Sequence, residues 1–239
     1  MSRLPAVLVA PVALRQGRAL RGDTQRLPEA HGPRDGLIGG AGSRTTKPLR
    51  LLVVGDSTAM GTGVAKLEEG LPGQLGRALS ARTAAGGVAW RAVGRNGATA
   101  AEVLREFASA AIAAHFDLAV VMVGWNDALR LRPGGEFSRA LGQLLDRLHA
   151  ASPDARLVVV APPAFGRFAA LPNPLRWALG RHVRGLTRRA EQVARAHSAA
   201  LAPGFDGVSV STDRFHPDSA GYRALAEGIA DALACRTVA

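Results

Sequence analysis

The run Leu51-Leu-Val-Val-Gly55-Asp-Ser57-Thr-Ala-Met-Gly61-Thr-Gly63 constrains this chain most. Consecutive apolar residues in a strand point to both faces, so a strand here must be covered on both sides, as in the parallel sheets of α/β proteins. The apolar run stops at Gly55, Asp56 and Ser57, and two more glycines follow at 61 and 63. A strand ending in a tight glycine-rich turn exposes its serine beyond the carboxyl edge of the sheet, where such folds hold their ligands.

The same pattern recurs along the chain. Strands are predicted at Leu49–Val54, Val88–Val93, Asp117–Val123 and Arg156–Ala161. Between and after them, helical periodicity marks Gln74–Arg82, Thr99–Ala114, Phe137–Ala150, Trp177–His197 and Asp218–Ala234. Thr99 is placed as a helix cap, with Glu102 three residues on to complete a capping box. Strands alternating with helices imply βαβ units and a parallel sheet. On that topology Ser57, Gly97 and Asn126 each follow a strand, and Asp213 and His216 precede the last helix, so all converge on one rim.

Residues 1–48 differ in composition, holding eight Arg or Lys against three Asp or Glu. They are expected to form an arm and linker ahead of a catalytic domain at 49–239. Leu4–Leu14 is apolar but broken by Pro5 and Pro11, and is shorter than the roughly 20 residues a transmembrane helix needs. Two readings of residues 1–21 stand: a packed or mobile arm, or an interfacial anchor whose Arg15, Arg18 and Arg21 meet anionic head groups. The sequence assigns no cellular compartment. The formal charge is +11, but the arginines are dispersed without interleaved aromatics, so no specific nucleic-acid partner is expected. The lone Cys235 excludes an intrachain disulfide, and the six histidines form no ligand-spaced cluster, so neither metal nor cofactor is expected.

Ser57 is the candidate nucleophile. An isolated serine is usually a cap or turn residue, and its hydroxyl needs an adjacent base to attack anything. His216 in Asp213-Arg-Phe-His-Pro217 is the candidate base and acid. The other histidines lie on predicted helices, before a strand, or in the arm. Asp213, three residues before His216, can accept the imidazole Nδ1–H and fix its tautomer. The turn lacks the GxSxG spacing of the α/β-hydrolase nucleophile elbow.

Gly55-Asp-Ser57, Gly97 in Arg95-Asn-Gly-Ala-Thr99, Asn126 in Gly124-Trp-Asn-Asp127, and Asp213 with His216 together resemble the four motif blocks of the SGNH (GDSL-type) hydrolase family. The resemblance covers roughly residues 49–234. It implies a flavodoxin-like three-layer α/β/α sandwich with a parallel sheet of about five strands. It also implies an oxyanion hole made by the Ser57 N–H, the Gly97 N–H and the Asn126 side-chain amide. Asp56 and Asp127 are expected to brace their turns.

The activity so implied is carboxylic ester hydrolysis through an acyl-Ser57 intermediate, with a small-molecule or lipid ester as substrate. The family also admits carbohydrate deacetylases and thioesterases. A rival of another class is a non-catalytic binder of anionic membrane or nucleic acid. The apolar stretch after Ala161 carries Phe165, Phe168, Leu171 and Trp177, which either wall an acyl pocket together with Trp125 or cover the edge of the core.

Overall fold

The computed structural model describes residues 12, 15–16, 27–39, 47–83, 86–164, 172–204 and 207–234. Six strands form one sheet: β1 Asp35–Ile38, β2 Leu49–Gly55, β3 Val88–Gly94, β4 Leu118–Met122, β5 Arg156–Val160 and β6 Ala200–Ala202. Their spatial order is β1-β3-β2-β4-β5-β6. β2 to β6 are parallel and run in the doubly wound order expected of a flavodoxin-like sheet. β1 is an added antiparallel edge paired with β3.

The helices are α1 Leu71–Ser80, α2 Ala100–Ala111, α3 Trp125–Leu129, α4 Gly134–Ala151, α5 Leu175–Ala196 and α6 Ser219–Ala234. Alternation along the strands sorts the core into two layers. Leu52, Val54, Ala119, Val121 and Val159 pack under α2, α4 and α5. Leu51, Val53, Val120, Met122 and Val158 pack under α1 and α6. This two-sided burial is why the strands read as unbroken apolar runs.

Most predicted elements lie within a few residues of those observed. α1 begins at Leu71 rather than Gln74 because Pro72 sits in the first turn, where its missing N–H costs nothing. Thr99 caps α2, accepting from the Glu102 N–H at 3.3 Å, while Glu102 Oε2 accepts from the Thr99 N–H at 2.8 Å. β1, α3 and β6 were not anticipated. β1 changes the domain limit, because the sheet starts at Asp35 within the stretch read as linker.

The segment leading into β1 is also bound to the domain. The Ala30 N–H donates to the Met60 carbonyl at 3.2 Å, and the His31 N–H to that of Ala65 at 2.9 Å. Most of residues 1–21 lies outside the described residues. Of those described, Gln16 donates to the Asn173 carbonyl at 2.7 Å and accepts from the Leu175 N–H at 3.1 Å, at the start of α5. Among the described residues, no helix is long and apolar enough to cross a membrane.

One buried hydrogen bond ties the last helix to the turn after β2. The Tyr222 hydroxyl donates to the Thr62 carbonyl at 2.6 Å, with both residues fully buried. Removing the donor strands a buried carbonyl, at about 1–3 kcal/mol. Tyr222→Phe should therefore lower the melting temperature by roughly 3–10 °C in a chain of this size. An unchanged melt followed by circular dichroism would show that the bond contributes nothing.

Candidate active site

β2 lies between β3 and β4, so the turns after these three strands meet at one carboxyl edge. The turn after β2 is held by its own backbone. The Met60 N–H donates to the Asp56 carbonyl at 3.2 Å, and the Thr62 N–H to that of Ser57 at 2.9 Å. Ser57 is buried within it. The loop between β6 and α6 approaches from the other side. A Cβ on Gly63 would collide with the Pro217 carbonyl oxygen and lie 3.2 Å from the His216 Cβ. Gly63 has φ +109°, so glycine serves here both for its conformation and for the close approach.

The structure brings Ser57, His216 and Asp213 into one line. The His216 Nε2 is 3.0 Å from the Ser57 Oγ, and its Nδ1 is 2.5 Å from the Asp213 Oδ2. A carboxylate can only accept, so Nδ1 carries the proton and Nε2 faces the serine hydroxyl as acceptor. Asp213 Oδ1 accepts from the backbone N–H groups of Phe215 at 2.9 Å and His216 at 3.0 Å. Burial opposes ionisation of Asp213, but the imidazole and these two N–H groups outweigh it and hold the carboxyl below the ordinary range. It is therefore ionised at neutral pH. The arrangement can take a proton from Ser57 and hold the resulting imidazolium.

Gly97 follows β3 and Asn126 opens α3 after β4, the two strands on either side of β2. Among the described residues, neither the Ser57 nor the Gly97 backbone N–H has a hydrogen-bond partner. The Asn126 Nδ2 donates to the Ala98 carbonyl at 3.1 Å and makes a long 3.4 Å contact with Asp56 Oδ2. Asp127, beside it, accepts from the Ala100 N–H at 3.0 Å and so joins α3 to the start of α2. Asp56 Oδ1 accepts from the Thr58 N–H at 3.2 Å.

The remaining candidates are placed as follows. Trp125 is buried in the cluster under α2, α4 and α5. Trp177, at 44 % exposure, stands on the surface of α5. Phe165, Phe168 and Leu171 lie outside the described residues. Other histidines are engaged elsewhere: His115 Nδ1 is 3.0 Å from the Ser152 Oγ, and His197 Nε2 is 3.1 Å from Asp146. Among the described residues, no group of three or more His, Cys, Asp or Glu side chains is placed to hold a metal ion. Sequence reasoning missed Tyr222, Glu29 and Arg130, whose contacts are to backbone atoms of the two turns.

Comparison with known proteins identifies the family of the chain. The model of the GDSL-like lipase/acylhydrolase family matches residues 53–224. A GDSL-like esterase of Mycobacterium tuberculosis is 33% identical over a 194-residue alignment that covers 75% of this chain and 60% of the relative. The chain thus spans about 60% of the length of the curated relative it matches. A psychrotrophic esterase from Pseudoalteromonas sp. shares the fold at 19% identity, with a TM-score of 0.61 over 79% of this chain and 98% of that one. An acetylxylan esterase from Geobacillus stearothermophilus does so at 17% identity, with a TM-score of 0.58 over 80% and 96%.

Burial pushes the Asp56 carboxyl from 3.8 up to about 7, against weaker help from the Thr58 N–H and the nearby His216. Between these two values the folded chain keeps a proton that the unfolded chain releases. Asp56 therefore makes stability fall as pH rises through that window, and adds no slope above it. Asp56→Asn removes the titration. Its stability relative to wild type should rise by on the order of 3–4 kcal/mol between about pH 4 and pH 7, then level off. Denaturant melts across that range check this; a pH-independent difference would show that Asp56 does not titrate there.

Proposed function

Because the chain belongs to the GDSL-like lipase/acylhydrolase family, we propose that it is a carboxylic ester hydrolase working through an acyl-Ser57 intermediate. The observation that carries the proposal is the hydrogen-bonded line Ser57–His216–Asp213 beside two unpartnered backbone N–H groups. His216 takes the Ser57 proton on Nε2 as Oγ adds to the ester carbonyl carbon. Asp213 holds the imidazolium through Nδ1–H. The carbonyl oxygen becomes an oxyanion, received by the N–H groups of Ser57 and Gly97. The Asn126 amide is the third donor, exchanging its long contact with Asp56 for the substrate oxygen.

Collapse of the tetrahedral adduct breaks the ester C–O bond, and His216 returns its proton to the leaving alcohol. A water then adds to the acyl carbon and gives His216 a proton. The second collapse releases the carboxylic acid and restores the Ser57 hydroxyl. No step calls for a metal or an organic cofactor. The apolar sequence from Phe165 to Leu171 favours acyl or lipid esters over sugar acetates. The M. tuberculosis relative is named an esterase, which supports the same reaction class.

Ser57→Ala should lower turnover of p-nitrophenyl acetate about 10⁴-fold or more, leaving only what the oxyanion donors provide. Undiminished turnover would refute the nucleophile. In a series of p-nitrophenyl esters from acetate to palmitate, kcat/KM should peak beyond acetate. A maximum at acetate, with faster cleavage of acetylated sugars, would move the substrate to carbohydrate acetates.

A further inference from the structure

The Gly97 N–H belongs to the Asn96–Gly97 peptide plane. Gly97 has φ +80°, and a glycine turn of this kind is free to swing about its own dihedrals. An N–H useful to a developing oxyanion must be aimed before reaction begins. The peptide planes on either side of the Asn96–Gly97 plane, Arg95–Asn96 and Gly97–Ala98, are each held. On one side, the Asn96 N–H donates to Glu29 Oε1 at 2.7 Å, and the Asn96 Nδ2 donates to the Leu27 carbonyl at 3.1 Å. On the other, Arg130 Nη2 donates to the Gly97 carbonyl at 2.7 Å.

Each clamp is itself anchored. Glu29 Oε2 accepts from Arg34 Nη2 at 3.0 Å, and Arg34 Nη1 donates to the Gly94 carbonyl at 3.2 Å. Arg130 Nη1 lies 2.9 Å and 3.1 Å from the two Glu102 oxygens, and Glu102 belongs to the capping box of α2. Both clamping contacts pair an ionised side chain with a backbone group, the stronger kind of hydrogen bond. Arg130 stands on the turn that follows Asn126, so it also links the Gly97 and Asn126 segments. Glu29 lies outside residues 53–224, the span matched by the family model.

We propose that Glu29 and Arg130 are positioning residues that fix the peptide groups on either side of the Asn96–Gly97 plane, so confining its swing and aiming the Gly97 N–H at the oxyanion. The segment ahead of the domain is then part of the active-site machinery. This rests on the reading of Gly97 as an oxyanion donor. The clamp acts on the tetrahedral state and hardly on ground-state binding, so it should move kcat more than KM.

The test uses the full chain, with Glu29→Ala, Glu29→Gln, Arg130→Met and Arg130→Lys. Steady-state kinetics on p-nitrophenyl acetate are measured beside the rate at which an alkyl fluorophosphonate labels Ser57, read by intact mass. The phosphoryl oxygen occupies the oxyanion position, so labelling reports the aim of the donors without depending on the ester chosen. Glu29→Ala and Arg130→Met should each lose roughly 10- to 100-fold in kcat and in labelling rate, with KM changed less than about threefold. Glu29→Gln keeps an oxygen for the Asn96 N–H and should recover most of the loss. Arg130→Lys should recover part of it.

Folded Glu29→Ala and Arg130→Met proteins that label and turn over at the wild-type rate overturn the clamp. If Glu29→Ala does not fold, Arg130→Met at the wild-type rate overturns it alone. Wild-type protein that shows no Ser57-dependent labelling overturns the acyl-serine reading and the clamp with it. Wild-type labelling with unimpaired variants removes only the clamp.

Discussion

The 3.0 Å contact between His216 and Ser57 joins residues 159 apart in sequence, and much of the molecule is arranged to make it possible. The strand order puts Ser57 at the middle of the carboxyl edge. The loop carrying His216 must then cross to it from beyond β6. Three local devices hold that crossing. Asp218 Oδ1 accepts from the Gly221 N–H at 2.8 Å at the start of α6. Tyr222 donates to the Thr62 carbonyl from the first turn of the same helix. Gly63 lets the serine turn lie against the Pro217 carbonyl. Helix, loop and turn are thus fixed to one another by backbone contacts, and the imidazole inherits its position from them.

Three buried aspartates lie beneath this edge, and their environments push them apart. Asp213 accepts two backbone N–H groups and the imidazole, and is held below the ordinary carboxylate range. Asp56 has one N–H at 3.2 Å and a long contact to Asn126, too little to offset its burial. Burial likewise raises Asp127, against the Ala100 N–H it accepts. The ionised Asp213 favours a positive imidazole and disfavours a second negative charge nearby. An oxyanion formed at Ser57 therefore depends on fixed N–H dipoles. That dependence gives the aim of the Gly97 N–H its weight.

The parallel core was legible in the sequence because two-sided burial leaves an unmistakable trace: runs such as Leu51–Val54 and Leu118–Met122 with no polar break. Thr99 and Glu102 were legible as a cap because both partners lie within one turn. Ser57, Asp213 and His216 were legible as a group through their motifs, and the structure places them in contact. β1 was not. Asp35-Gly-Leu-Ile has a glycine, leaves Leu37 exposed, and gains strand character only by pairing with β3 across some fifty residues. β6 is three residues, two of them alanine, and α3 is five. Such segments are shorter than the periodicity that would reveal them. Glu29 and Arg130 escaped for another reason. Their contacts to the Gly97 turn are with backbone atoms, and a charged residue that binds a distant peptide group looks in sequence like any solvated one.

The strap from Leu27 to Ile38 unites two otherwise separate needs. β3 would be an open sheet edge next to the Gly97 turn, with unpaired peptide groups inviting another strand. β1 fills that edge. Having reached it, the same segment is positioned to place Glu29 against the Asn96 N–H and the Leu27 carbonyl against the Asn96 side chain. The register of β1 on β3, with Gly36 opposite Trp90, sets how far back along the edge the strap reaches. A slip of that pairing would carry Glu29 away from Asn96 and loosen the turn, even with every family motif intact. The edge of the sheet and the aim of one peptide group are in this way governed by one strand register.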